Sequence, residues 1–149
     1  MSLNRVSKPG QNFGASYCYQ GNLPDTQLGW GHSCAEFSAP IALLGPHVAP
    51  LGMRFYSGRM FSARVPRRIF IARHGSRNRT REVGGDVIAV HLNKSGTLSA
   101  MEPFLFGFIT DNNYLGRPVN VQPMRDGSLL ISGDWNGAVY RVTYGRRGR

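Results

Sequence analysis

Residues 111–144 read DNNYLGRPVNVQPMRDGSLLISGDWNGAVYRVTY, and this stretch decides the fold class. It holds three short apolar runs, 118–124, 128–132 and 138–144, separated by Asp126-Gly127 and Asn136-Gly137. Those dipeptides tolerate the positive φ that tight hairpin turns demand. Val119 and Val121 alternate with Asn120 and Gln122, as in a strand with one buried face. In the last run Tyr140, Val142 and Tyr144 alternate with Val139, Arg141 and Thr143. The pattern predicts a three-stranded antiparallel meander, one strand short of a four-stranded sheet. Alone, such a sheet exposes two edges and an apolar face, so it calls for a neighbour.

A candidate neighbour lies upstream. Strands are expected at 52–56, at 69–73 (IFIAR) and at 86–92 (DVIAVHL), with an edge-like fourth at 101–106. Residues 51–108 thus read as a complete four-stranded blade and 111–144 as an incomplete one. This is a repeat of strand pattern, not of residues. Four-stranded sheets repeated radially are the arrangement of β-propellers. Composition points the same way. The 149 residues suffice for one ordinary domain, and 19 Gly with 9 Pro leave few stretches able to sustain a helix. The expected class is all-β, a partial β-propeller of about two four-stranded antiparallel blades, forming a single domain over 1–149.

Residues 1–11 are polar and aperiodic and are expected to form a loose terminus. Residues 12–50 read as a long ordered loop region, with Phe13, Tyr17, Tyr19 and Trp30 available to bury. Cys18 and Cys34 bracket its Gly- and Pro-containing part, either as a disulfide or as two unpaired core thiols. The disulfide is the favoured reading. It would contribute on the order of 3 kcal/mol by chain entropy, and it implies an oxidising compartment.

The formal net charge is +10, and Lys8 and Lys94 are the only lysines. A basic balance suits nucleic acid or acidic surfaces. The base-stacking motif of such modules is missing, so nucleic-acid binding through 64–81 and the GRRGR tail at 145–149 ranks last. The loop at 74–85, HGSRNRTREVGG, is either an anion grip or a solvated basic loop. His32, His47, His74 and His91 show no metal-ligand spacing. No Ser or Cys triad emerges, and the Gly-rich segments lack the strand-to-helix context of a phosphate loop. No apolar run is long enough to span a membrane, and MSLNRVSKPG lacks the apolar core of a signal peptide.

The stretches APLGMRFYSGRMF, IFIARHGSRNR, DNNYLGRPVNV, DGSLLISGDWNGAVYRV and GQNFG..YC together resemble the C-terminal part of soluble glucose/sorbosone dehydrogenases, from about Gly10 to Tyr144. The resemblance implies a six-bladed propeller, pyrroloquinoline quinone (PQQ) at the hub, calcium, and oxidation of sugars, polyols or aldehydes by hydride transfer. It also implies a periplasmic or secreted setting. Arg117 stands where the family places an arginine that pairs with the cofactor's carboxylates, as a planar guanidinium can. His74 stands where some members carry a lysine facing the cofactor and others the same His-Gly-Ser. His47 belongs to the HxAPxGM stretch that lines the hub.

Departures accompany the likeness. Ala15 and Ser16 replace the family's usual Trp-Pro, Arg77 stands for a tryptophan, and Leu115 stands for an aromatic or arginine. The family's catalytic histidine and calcium loop belong to blades absent from these residues. The resemblance therefore implies a C-terminal fragment, inactive alone, with no catalytic residue and no metal ligand of its own. The alternative is a non-enzymatic propeller-like module that assembles with a partner chain or itself through open β edges.

Overall fold

The computed structural model describes residues 1–61 and 68–145. Arg64 and the tail beyond Gly145, part of the basic stretches named above, lie outside the described residues. The chain divides into two compact units, Met1–Pro46 and His47–Arg149.

The first unit has little regular structure. Strand β1 (Ser2–Leu3) pairs with β4 (Ala42–Leu43), and β2 (Cys18–Tyr19) pairs with β3 (Leu23–Pro24). The terminus is therefore not loose throughout: Leu3 is buried, and the Met1 ammonium donates to the Gly45 carbonyl at 3.2 Å. A two-residue strand in a mostly polar segment carries no detectable period. A disulfide joins Cys18 to Cys34. Beside it, Ser33 caps the short 3-10 turn Cys34–Glu36, and Glu36 accepts from the Ser33 amide at 2.7 Å.

The second unit holds two sheets. The first runs β5 (Pro50–Tyr56), β6 (Arg68–Arg73), β7 (Asp86–Leu92), β8 (Leu98–Leu105), each pairing antiparallel with the next. After the two-residue pair β9 (Ile109–Thr110) and β10 (Asn113–Tyr114), the second sheet follows as β11 (Pro118–Pro123), β12 (Leu129–Gly133), β13 (Ala138–Val142). Both are meanders, one complete blade and one blade with three strands. No α-helix occurs among the described residues. The all-β, partial-propeller expectation holds.

The hydrophobic effect joins the two blades. Phe70, Ala72, Val87 and Ala89 of the first sheet form one buried cluster with Val121, Leu129 and Ile131 of the second. The sheets approach closely where β5 meets β11. A Cβ at Gly52 would lie 2.3 Å from Asn120 Oδ1 and 2.6 Å from its Cα, so only glycine fits. Each predicted turn uses its glycine at positive φ, 89° at Gly127 and 62° at Gly137. Their aspartate and asparagine partners stay at negative φ, so these are not two-residue mirror-image turns.

The β11–β12 turn carries a pH dependence. Asp126 Oδ1 accepts from Ser128 Oγ at 2.6 Å and from the Ser128 amide at 3.0 Å, and Arg141 Nη2 bonds Oδ2. The Ser128 bonds, with Arg141 behind them, lower the Asp126 pKa from 3.8 to about 2. A depressed folded-state pKa gives stability that is present above the unfolded value and lost as pH falls from about 4 towards about 2. Asp126→Asn is expected to flatten that part of the profile, read as denaturant midpoints at pH 5 and pH 2.5. The group is exposed, so the effect is small.

Candidate functional site

One end of both sheets gathers the polar loops. Pro50 pairs with Arg73 and Arg73 with Asp86, while Gly133 pairs with both Pro118 and Ala138. Residues 47–49, 74–85, 106–117 and 134–137 leave the strands at this end, and hydrogen bonds run between them.

Arg117 is the centre. It precedes β11, and its guanidinium reaches back to the first blade. Nε donates to the His74 carbonyl at 3.1 Å and Nη2 to the Ser76 carbonyl at 2.7 Å. Among the described residues Nη1 has no hydrogen-bond partner. The guanidinium carbon lies 4.4 Å from the centre of the Tyr114 ring and 5.8 Å from that of Trp135. These contacts fix the plane of the cation and leave one edge available to an anion.

His74 follows β6. Its amide donates to the Ala49 carbonyl at 3.0 Å, and its Nε2 lies 2.9 and 3.1 Å from the Asp134 carboxylate oxygens. The hydrogen bond from His74, aided by the charges of His74 and Arg117, holds the Asp134 carboxyl below the usual carboxylate range. Asp134 is thus ionised at neutral pH and accepts from His74 Nε2.

His47 is placed at the same end by its backbone. The Val48 and Ala49 carbonyls accept from the Gly75 and His74 amides at 2.9 and 3.0 Å. The His47 side chain is exposed, and no bond joins it to His74 or Arg117 among the described residues. Its φ of 58° and the 43° of Ala49 are left-handed, which costs a non-glycine residue energy. The structure therefore brings Arg117 and His74 into direct contact and leaves His47 beside them.

Four participants went unread in the sequence: Ser76, Tyr114, Asp134 and Trp135. Ser76 is buried. Its Oγ accepts from the Val83 amide at 2.9 Å and bonds the Glu82 carboxylate. Tyr114, Asp134 and Trp135 stand inside the NNYLGR and GDWNG stretches quoted above. The available signal was that aromatics and an acid flank the turn residues at strand ends, where loops carry function. Among the described residues, no three His, Cys, Asp or Glu side chains converge as metal ligands.

Comparison with known proteins adds identity to this geometry. A family profile described as TrAA12-like matches residues 3–145. The chain belongs to the TrAA12-like family. An uncharacterised protein of Borreliella burgdorferi is 33% identical over 147 residues, covering 95% of this chain and 38% of that protein. Among solved structures, the PQQ domain of pyranose dehydrogenase from Coprinopsis cinerea matches with 28% identity and a TM-score of 0.57, over 74% of this chain and 30% of that one. A calcium structure of the family AA12 enzyme of Trichoderma reesei has a TM-score of 0.73 at 20% identity, over 93% of this chain and 40% of that one. At that identity it speaks for the fold alone. The family match and the pyranose dehydrogenase likeness set this chain beside a PQQ domain of a dehydrogenase. The chain spans well under half the length of the relatives it matches. Among the described residues no helix is long and apolar enough to cross a membrane.

Proposed function

We propose that this chain supplies the cofactor-gripping end of two propeller blades to a PQQ-dependent dehydrogenase acting on a sugar, polyol or aldehyde. The observation that carries the reading is Arg117, oriented on a ring and two carbonyls with Nη1 unpartnered among the described residues. PQQ bears carboxylates, and a guanidinium edge is the donor that suits them. The residues present fit that group. Arg117 would bind a carboxylate, and His74, held by Asp134 through Nε2, would present its other ring nitrogen beside it. His47 would line the approach from the first strand of the blade.

The chemistry the bound quinone supplies is two-electron oxidation of an alcohol or aldehyde. The chain's own part is to bind and orient. No general base is assigned here, and the chain is not expected to turn over substrate unaided. Calcium comes into this reading from the family likeness alone, since no three His, Cys, Asp or Glu side chains converge among the described residues. Sugar as substrate follows the pyranose dehydrogenase likeness. A periplasmic or secreted setting is supported by the disulfide, since such bonds persist in oxidising compartments.

The test is calorimetric titration of PQQ into the wild type, Arg117→Lys and Arg117→Ala. A lost charged hydrogen bond corresponds to about ten- to a hundredfold in affinity, expected for the alanine variant. Lysine keeps charge but loses the fork, so its affinity should fall between. Equal affinities in all three would remove Arg117 from the site.

A further inference from the structure

We infer that Tyr114 is the positioning residue of this site, holding both the Arg117 guanidinium and Ser76, one of the two residues on whose carbonyls it rests. The inference rests on the PQQ reading above and extends it to a residue that need not touch the cofactor.

Two parts of the tyrosine act on two parts of the site. Its ring lies under the guanidinium at 4.4 Å, the nearer of the two aromatic contacts of Arg117. Its hydroxyl accepts from the Ser76 amide at 2.7 Å and donates to the Val83 carbonyl at 2.9 Å. The same hydroxyl lies 3.1 Å from Ser76 Oγ. Ser76 is the residue whose carbonyl receives Arg117 Nη2. One side chain therefore sets the cation and one of its two anchors. The guanidinium cannot tilt without leaving the ring, and the hydroxyl bonds hold the Ser76 backbone amide next to the carbonyl that Arg117 uses.

The loop is built around this ring. Gly75 has φ of 113°, and a Cβ there would meet the Tyr114 hydroxyl at 2.4 Å and its ring at 2.7 Å. Side-chain bonds continue the link: Asn112 Oδ1 accepts from the Glu82 amide at 2.8 Å, and Asn112 Nδ2 donates to the Thr80 carbonyl at 3.0 Å. The segment carrying Tyr114 is thus pinned along the whole loop of the preceding blade. Trp135 is farther from the cation and more than half exposed, so it serves as a flank.

The experiment compares wild type, Tyr114→Phe and Tyr114→Leu by two readouts. One is the Arg117 Nε–Hε resonance in the cofactor-free chain, and the other is PQQ affinity. Core amide protection in β6 and β7 reports that each variant is folded. The wild-type resonance should be shifted by the ring and slow to exchange with water. Tyr114→Leu should return it to a free-arginine position and weaken PQQ by roughly tenfold, the size of a lost cation–π contact. Tyr114→Phe should keep the ring shift but speed exchange of the Ser76 amide. An Arg117 resonance unmoved in folded Tyr114→Leu would overturn the inference, as would unchanged PQQ affinity in a wild type that binds. A wild type with an ordered Arg117 that binds no PQQ would instead sink the cofactor reading, and with it the role assigned to Tyr114.

Discussion

Phe70→Ala is expected to destabilise the second unit by about 3–5 kcal/mol, the largest effect of any single substitution considered. Phe70 is fully buried in the cluster that joins the two sheets. Its ring centre lies 4.3 Å from that of Phe104, 5.3 Å from Tyr56 and 6.3 Å from Phe61, the last two edge-on. Truncation removes its apolar area and three ring contacts at once, and leaves a cavity that a β-sheet backbone cannot close. Domains are stable by only about 5–15 kcal/mol, so the loss takes a large share. Thermal melts should show a fall of about 10–20 °C. The site should suffer with the fold, because Arg117 and its anchors sit on opposite blades of this junction. A loss below about 1 kcal/mol would mean that the blades do not share this core in solution.

Removing the disulfide is the second large effect. The first unit has only two-residue strand pairs, so covalent closure replaces much of what a core would do. The cysteines are 16 residues apart, which gives about 3 kcal/mol by loop entropy. Local contacts make up part of the rest. Asp25 Oδ1 accepts from the Gln27 and Leu28 amides at 2.8 and 2.7 Å, and Tyr17 stacks on Phe37 at 5.9 Å. With both cysteines changed to alanine, amides between residues 14 and 37 should exchange about a hundredfold faster, the factor corresponding to 3 kcal/mol. Unchanged exchange would show that these local contacts suffice without the bond.

The blades were legible in the sequence because their physics is periodic. Alternation over 118–124 and the Asp-Gly and Asn-Gly turns mark β11, β12 and β13 to within a residue or two of their observed ends. The second expected run began at Ser128 and stopped at Ser132, while the strand is Leu129–Gly133, since Gly133 bridges Pro118 and Ala138. The fourth strand begins at Leu98, three residues before the expected start, because Leu98 pairs with Leu92 while Ser99 and Ala100 interrupt the apolar run. The first unit was less legible. Two-residue bridges such as Ser2–Leu3 with Ala42–Leu43 have no period to detect. At the site, Arg117 and His74 stood out only through family likeness. Their bond spans 43 positions, and that of His74 with Asp134 spans 60. Tyr114 lies 38 positions from the serine it holds. Such contacts exist only once strand register brings the loops to one end, and no local pattern encodes them.

The most direct measurement is titration of the wild-type chain with PQQ, followed by quenching of protein fluorescence. Trp135 lies 5.8 Å from the Arg117 guanidinium, so a quinone held there should quench its emission. Saturable quenching, weakened by salt and reversed by displacement of the quinone, is the expected result. Quenching that stays linear with PQQ concentration would mean that this end of the blades holds no quinone.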